Sequence, residues 1–176
     1  TGDRLRPKAG MVADIHCIGG VPGNRTTMIV VPILVAAGLT VPKTASRAIT
    51  SPAGTADTME VLCSVSLPKQ KLERMLTDVG GFIVWGGAIN LAPSDDKIIR
   101  IEYPMSIDAE GQMLASIMAK KATVGATHLL MDLPVGPGSK LAHKRDARHL
   151  QAHFEELGRI LGIKMDVIIT NGSQPI

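Results

Sequence analysis

Strand-like and helix-like segments alternate along almost the whole chain, and this constrains the fold more than any other feature. Residues 11–18 (MVADIHCI) predict a short strand, followed by the turn cluster GGVPGN. Residues 25–38 predict a buried helix, capped by Asn24 or Thr26 and stopped by Gly38, with Pro32 as an objection to an unbroken run. KTAS (43–46) predicts a short strand, SPAGT (51–55) a loop, and 55–64 a helix. Residues 67–80 predict a helix with Leu72, Met75, Leu76 and Val79 on one face, and 82–85 (FIVW) a strand. A helix over 108–123 with Asp108 at its cap, a strand over 127–135, a long helix over 144–162 and a last strand over 164–170 complete the pattern. Parallel strands need a crossover long enough to hold a helix, so this order predicts an α/β fold with a mostly parallel sheet flanked by helices. Such a sheet normally covers its last strand with a following helix. The ending NGSQPI therefore leads us to expect that residues 1–176 are one domain of a longer protein.

Composition narrows the class. Apolar residues make up 45% and charged residues 20%, enough for a packed core and too few polar groups for wholesale disorder. The aromatics are Trp85, Tyr103, Phe82 and Phe154 alone, which argues against base-stacking platforms for RNA or single-stranded DNA. The net charge of +3 comes from interspersed charges, so nothing asks for nucleic acid. Cys17 and Cys63 form no CxxC pair, and a reducing, cytoplasmic setting is expected. The longest apolar run, residues 28–39, is too short to span a bilayer and contains Pro32, and the polar start TGDRLRPKAG has no signal-peptide character.

In open α/β sheets ligands bind beyond the carboxyl ends of the strands, and three loops fall there. GGVPGN (19–24) can bring backbone N–H groups to an anion, although it is neither GxGxxG nor a P-loop and could be a plain turn. Residues 46–57 carry four hydroxyls, Ser46, Thr50, Ser51 and Thr55, beside Arg47; together they would suit phosphate, or the loop is solvated and Thr55 merely caps a helix. VGPGSK (135–140) presents Lys140, as a phosphate ligand or as an exposed loop lysine.

Other polar residues are less decided. Asp14 and His16 alternate along one strand and share a face, so they could meet a ligand; a satisfied core histidine is the alternative. Cys17 points away from His16, which makes a Cys–His nucleophile pair geometrically poor. Ser116 and Lys120 are one helical turn apart. His149 and His153 have the spacing of a metal pair, but no third ligand is evident, so they read as structural or solvent-facing. No metal is expected.

Four segments in collinear order resemble the thymidine/pyrimidine-nucleoside phosphorylase family. SRAITSPAGTADTME (46–60) is similar to its signature, and DIHCIGGVPGN (14–24) to its first phosphate loop, with His16, Gly19 and Gly20 in place. LASIMAKK (114–121) resembles its base-binding helix through Ser116 and Lys120, and LLMDLPVGPGSK (129–140) resembles a further loop. The departures point to the AMP phosphorylase-like branch. Ile15 replaces the lysine before the histidine, Cys17 replaces a serine, Pro22 is inserted, and the arginine expected about fifteen positions before Ser116 is out of register, with Ile101 there and Arg100 nearby.

The resemblance implies the catalytic-domain fold of nucleoside phosphorylases and phosphoribosyltransferases. It implies substrate contacts at Gly20, at Ser46, Arg47, Ala48, Ile49, Thr50 and Ser51, and at Thr55, Ser116 and Lys140, with Asp108 as proton donor. The implied reaction is phosphorolysis of a nucleoside or nucleoside 5′-monophosphate, a pentosyl transfer. Inorganic phosphate is the co-substrate and no cofactor is needed. It also implies a small helical N-terminal domain and a further C-terminal domain, with a homo-oligomer of at least two chains; the isolated domain would bind phosphate without turnover. An anthranilate-type phosphoribosyltransferase using magnesium on Asp95 and Asp96, or a non-catalytic phosphate-binding domain, are the other readings.

Overall fold

The computed structural model describes residues 2–19, 25–48, 53–107 and 109–174. Five parallel strands carry it: β1 (Ala13–Cys17), β2 (Val41–Ala45), β3 (Gly81–Trp85), β4 (His128–Val135) and β5 (Lys164–Asn171). β1, β4 and β5 form one ladder and β2 and β3 another. The ladders meet at the bridge between Val12 and Thr40, where Ala13 N–H donates to the Thr40 carbonyl. The spatial order is therefore β3-β2-β1-β4-β5. Consecutive elements leave β1 toward β2 and later resume on its other side at β4, which makes β1 a topological switch point.

The helices are α1 (Thr26–Ala36), α2 (Thr55–Glu60), α3 (Lys69–Asp78), α4 (Pro93–Met105), α5 (Glu110–Thr123) and α6 (Lys144–Leu161). Leu129, Met131 and Leu133 of β4 pack with Leu114, Ile117 and Met118 of α5 and with Leu150 and Phe154 of α6. A second cluster joins Leu72 of α3 to Phe82 and Val84 of β3. A third sets Val31 of α1 against Ile15 and Val41. Strand residues of opposite parity thus bury against different helices, as the near-continuous apolar runs of a two-sided parallel sheet require.

The predicted elements appear with shifted ends. α1 runs through Pro32, whose missing N–H removes one helical bond on an exposed face. It is less buried than expected: only Thr27 and Val31 are fully covered, and Ile33 is 59% exposed. Arg25 takes its cap position without a capping hydrogen bond from its side chain, Thr26 is the first helical residue, and Asn24 lies outside the described residues. Gly38, at φ 87°, ends the helix in the left-handed conformation that favours glycine. The helix expected over 108–123 is capped at Ala109, and Asp108 lies outside the described residues. α4 had no counterpart among the expectations. Pro93 opens it, Asp95 and Asp96 complement the positive end of its dipole, and Pro104 falls in its last turn. No described helix is long and apolar enough to cross a membrane.

Phe154 is fully buried between α6 and the sheet. Phe154→Ala is expected to cost about 3–5 kcal/mol of unfolding free energy, measured by urea titration.

Candidate functional site

All five strands run parallel, so their carboxyl ends share one edge, where the chain after Cys17, Ala45 and Val135 leaves the sheet. At the centre, Asp14 on β1 forms an ion pair with Lys121 of α5 at 2.8 Å, with both side chains almost wholly buried. Its other oxygen accepts the Ile15 N–H at 2.7 Å. Asp14 is therefore structurally engaged and not open to a ligand. Lys43 of β2, which the sequence did not single out, reaches across the split between the two ladders and donates from Nζ to the Ile15 carbonyl at 2.5 Å. Burial first, and repulsion from Lys121 second, pull its ammonium down to about 7. Two buried lysines thus share one buried aspartate, leaving the cluster short of negative charge whenever both lysines are protonated.

His16 follows on the same strand. Its Nδ1 is buried and has no hydrogen-bond partner among the described residues, which a satisfied core histidine would have there. Burial, then Lys43, Lys121, Lys120 and Lys140, hold its pKa well below the ordinary imidazole value, which keeps it neutral. Neighbouring Cys17 is pushed up to about 12 by burial and by Asp132, so its thiol stays protonated and is no nucleophile near neutrality.

The loop after β2 is closed by a clamp. Arg47 donates from one nitrogen to Asp57 at 2.9 Å and grips both oxygens of Glu60 at 2.6 and 2.8 Å. Its guanidinium stacks 4.6 Å from the Trp85 ring centre. Asp57 Oδ2 accepts N–H groups from Ala48 at 2.8 Å and Gly54 at 2.9 Å. Burial raises the Asp57 pKa, but those two N–H donors and Arg47 outweigh it and hold the carboxylate below its usual range. A side chain at Gly54 would collide with the Ser46 carbonyl and the Arg47 backbone, so glycine is needed for the loop ends to meet. Arg47 therefore holds the loop in shape, with its donors turned to carboxylates. Ser46 and Ala48 flank it and Thr55 opens α2; Ile49, Thr50 and Ser51 lie outside the described residues, as does Gly20 of the first loop.

On α5, Lys120 pairs with Asp95 of α4 at 2.5 Å and donates to Ser116 at 3.0 Å. Gln112 donates to the other Asp95 oxygen at 3.0 Å. Ser116, Asp95 and Gln112 line a cavity of about 360 Å³ that also takes in Arg4, Leu91 and Ile98. Asp95 is thus engaged by Lys120 and Gln112, and burial raises its neighbour Asp96 above the normal carboxylate range. After β4, Ser139 donates to the Gly172 carbonyl at 3.1 Å and Gly172 N–H to the Val135 carbonyl at 2.9 Å, locking the loop that carries the exposed Lys140 to the end of β5.

The positive charges of Lys43, Lys121, Lys120 and Lys140 all act on His16, and Lys43 and Lys121 were not among the candidates of the sequence. Lys43 gave no sequence signal beyond a lone lysine inside a strand-like segment, because its neighbours come from β1 and α5.

Lys43 is protonated in the unfolded chain up to pH 10.5 but only up to about 7 when folded. Between those values the unfolded state holds the extra proton, so stability rises with pH across this window. Lys43→Met is expected to stabilise the fold most below pH 7, with the gain shrinking toward pH 10.5. Urea unfolding at several pH values reads this out; a pH-independent difference would contradict it.

The sequence profile described as "Glycosyl transferase family, a/b domain" matches residues 9–135. Over all 176 residues the chain is 53% identical to the protein named "Putative thymidine phosphorylase" of Legionella pneumophila (strain Corby), covering 34% of it. It is 52% identical to the protein of the same name from Methylococcus capsulatus, again covering 34%. It is 54% identical to "AMP phosphorylase 1" of Archaeoglobus fulgidus, covering 35%. The chain thus spans about a third of the length of these relatives. With its parallel α/β architecture and a family match over most of its length, the chain belongs to the glycosyl transferase family, as an a/b domain.

Proposed function

We propose that this chain is the central phosphate- and substrate-binding domain of a cytoplasmic, homo-oligomeric phosphorylase acting on a nucleoside 5′-monophosphate, AMP foremost. The observation that carries this reading is the set of lysines, Lys43, Lys121, Lys120 and Lys140, whose charge acts on the neutral His16 at the switch point, its buried Nδ1 having no partner among the described residues. Lysines near the carboxyl ends of parallel strands, Lys43 buried and Lys140 exposed among them, suit a phosphate dianion. Identities above 50% to relatives named for thymidine and AMP phosphorolysis support the same reaction class.

In the proposed reaction a phosphate oxygen attacks C1′ of the ribose as the glycosidic C–N bond breaks. The bonding pair leaves with the base nitrogen, and Asp108 protonates it. The products are free base and ribose 1,5-bisphosphate. His16 and the 46–55 loop hold the phosphate, and Ser116 and Lys120 face the base. Lys43 supplies from β2 the cation that Ile15 cannot supply from β1, and its Nζ already rests on the Ile15 carbonyl. Arriving phosphate favours protonated Lys43, so phosphate binding draws in a proton near neutral pH. Lys140 meets the substrate's 5′-phosphate, which a nucleoside lacks. The helical and C-terminal domains of the longer protein complete the cleft.

Phosphorolysis by the complete parent protein, offered thymidine, uridine, adenosine, AMP and CMP with phosphate, tests this through release of free base. Release from AMP and not from thymidine is expected; release from thymidine would overturn the nucleotide reading. Asp108→Asn is expected to abolish turnover with phosphate binding retained, and near wild-type turnover would remove Asp108 from the chemistry. Lys140→Ala should weaken AMP far more than adenosine, seen in the two KM values; equal losses would exclude a 5′-phosphate contact.

A further inference from the structure

His149 and His153 lie one helical turn apart on α6 and so project from the same side of it. The sequence offered them no third ligand. The fold supplies one from a different helix: Glu110, the first residue of α5, places a single oxygen, Oε1, 3.1 Å from His153 Nδ1 and 3.4 Å from His149 Nε2. The two imidazoles stand edge-on, 4.4 Å between centres at 69°, each turning a nitrogen to that oxygen. All three side chains are about half exposed, at 49%, 63% and 47% for Glu110, His149 and His153, so an ion can enter from solvent.

From this convergence we infer that Glu110, His149 and His153 form a binding site for a first-row divalent transition-metal ion such as Zn²⁺, which clips the first turn of α5 to α6. In a tetrahedral sphere with bonds of about 2.0–2.1 Å, adjacent donor atoms stand about 3.3 Å apart. The two observed separations bracket that value, and the donor atoms of all three residues lie within 4.8 Å of one another. Two imidazoles and one carboxylate are a borderline donor set, suited to zinc, cobalt, nickel or copper and poorly suited to calcium or magnesium. A fourth position stays open to water. The lining offers no general base, so the ion acts as a clip between helices. It holds the α5 start against α6, and α5 carries Ser116, Lys120 and Lys121 further along its length. This site is independent of the phosphorolysis reading and lies outside the strand-end cluster.

Calorimetric titration of the intact protein with Zn²⁺, and the visible absorption of bound Co²⁺, test the assignment. One equivalent of Zn²⁺ is expected, with a raised Tm. His149→Ala, His153→Ala and Glu110→Gln should each weaken binding at least about tenfold and remove the Tm rise. These side chains are half exposed, so the variants should fold as the parent does. His143→Ala and Cys63→Ser should leave both readouts unchanged, since both residues lie outside the triad; Cys63, an exposed free thiol, is the control for zinc held elsewhere. Binding that survives in the three variants, or vanishes with Cys63→Ser, would overturn the site. No Zn²⁺ binding to the folded parent would reduce it to an ordinary ion-pair contact.

Discussion

The buried pair of Asp14 and Lys121 is the interaction around which the strand-end site is organised. A lone charge at either position would be too costly to keep dry, and the two neutralise each other at 2.8 Å. The pair ties the middle of β1 to the last turn of α5 and so fixes the height of α5 above the sheet. That height sets where Ser116 and Lys120 stand relative to β2 and β3. It also brings Lys121 beside Lys43, whose ammonium settles on the Ile15 backbone carbonyl. Charge left over from a structural pair thus becomes the electrostatic character of the site.

A second constraint works through the backbone. Gly54 lets the two ends of the 46–54 loop touch, and Asp57 bridges both ends by accepting from Ala48 and Gly54. Arg47, stacked on Trp85 and held by two carboxylates, then sets the loop against β3. Five components of this clamp (Arg47, Gly54, Asp57, Glu60 and Trp85) hold the two ends of the loop together. The residue that looks most like a phosphate ligand in the sequence is the one whose donors are already committed to the scaffold.

The ladder split between β1 and β2 has a comparable effect. Pairing holds at Val12 and Thr40, and beyond that bridge the strands belong to separate ladders. Lys43 occupies the opening and places its Nζ on a carbonyl freed there. A continuous ladder would have used that carbonyl and left a buried lysine without an acceptor.

Alternation of periodicity made most of the architecture legible: the five strands and α1, α2, α3, α5 and α6 follow from local apolar spacing and turn residues. α4 escaped because its dipolar start and its terminal Pro104 interrupt the apolar rhythm on which the reading relied. The candidate loops were legible because glycines and hydroxyls at fixed spacing are local signals. Pairings were not. Asp14 looked like a ligand until Lys121, 107 positions away, took it. Arg47 looked like a free cation until Asp57 and Glu60 closed on it. His149 and His153 looked like a pair without a third donor until α5 brought Glu110 to them across 43 positions. Sequence by itself determined which segments form strands and helices, because those depend on neighbours within a few residues. Tertiary structure alone decided which charges are neutralised and which remain to act, because burial and Coulomb attraction depend on distances that only packing sets.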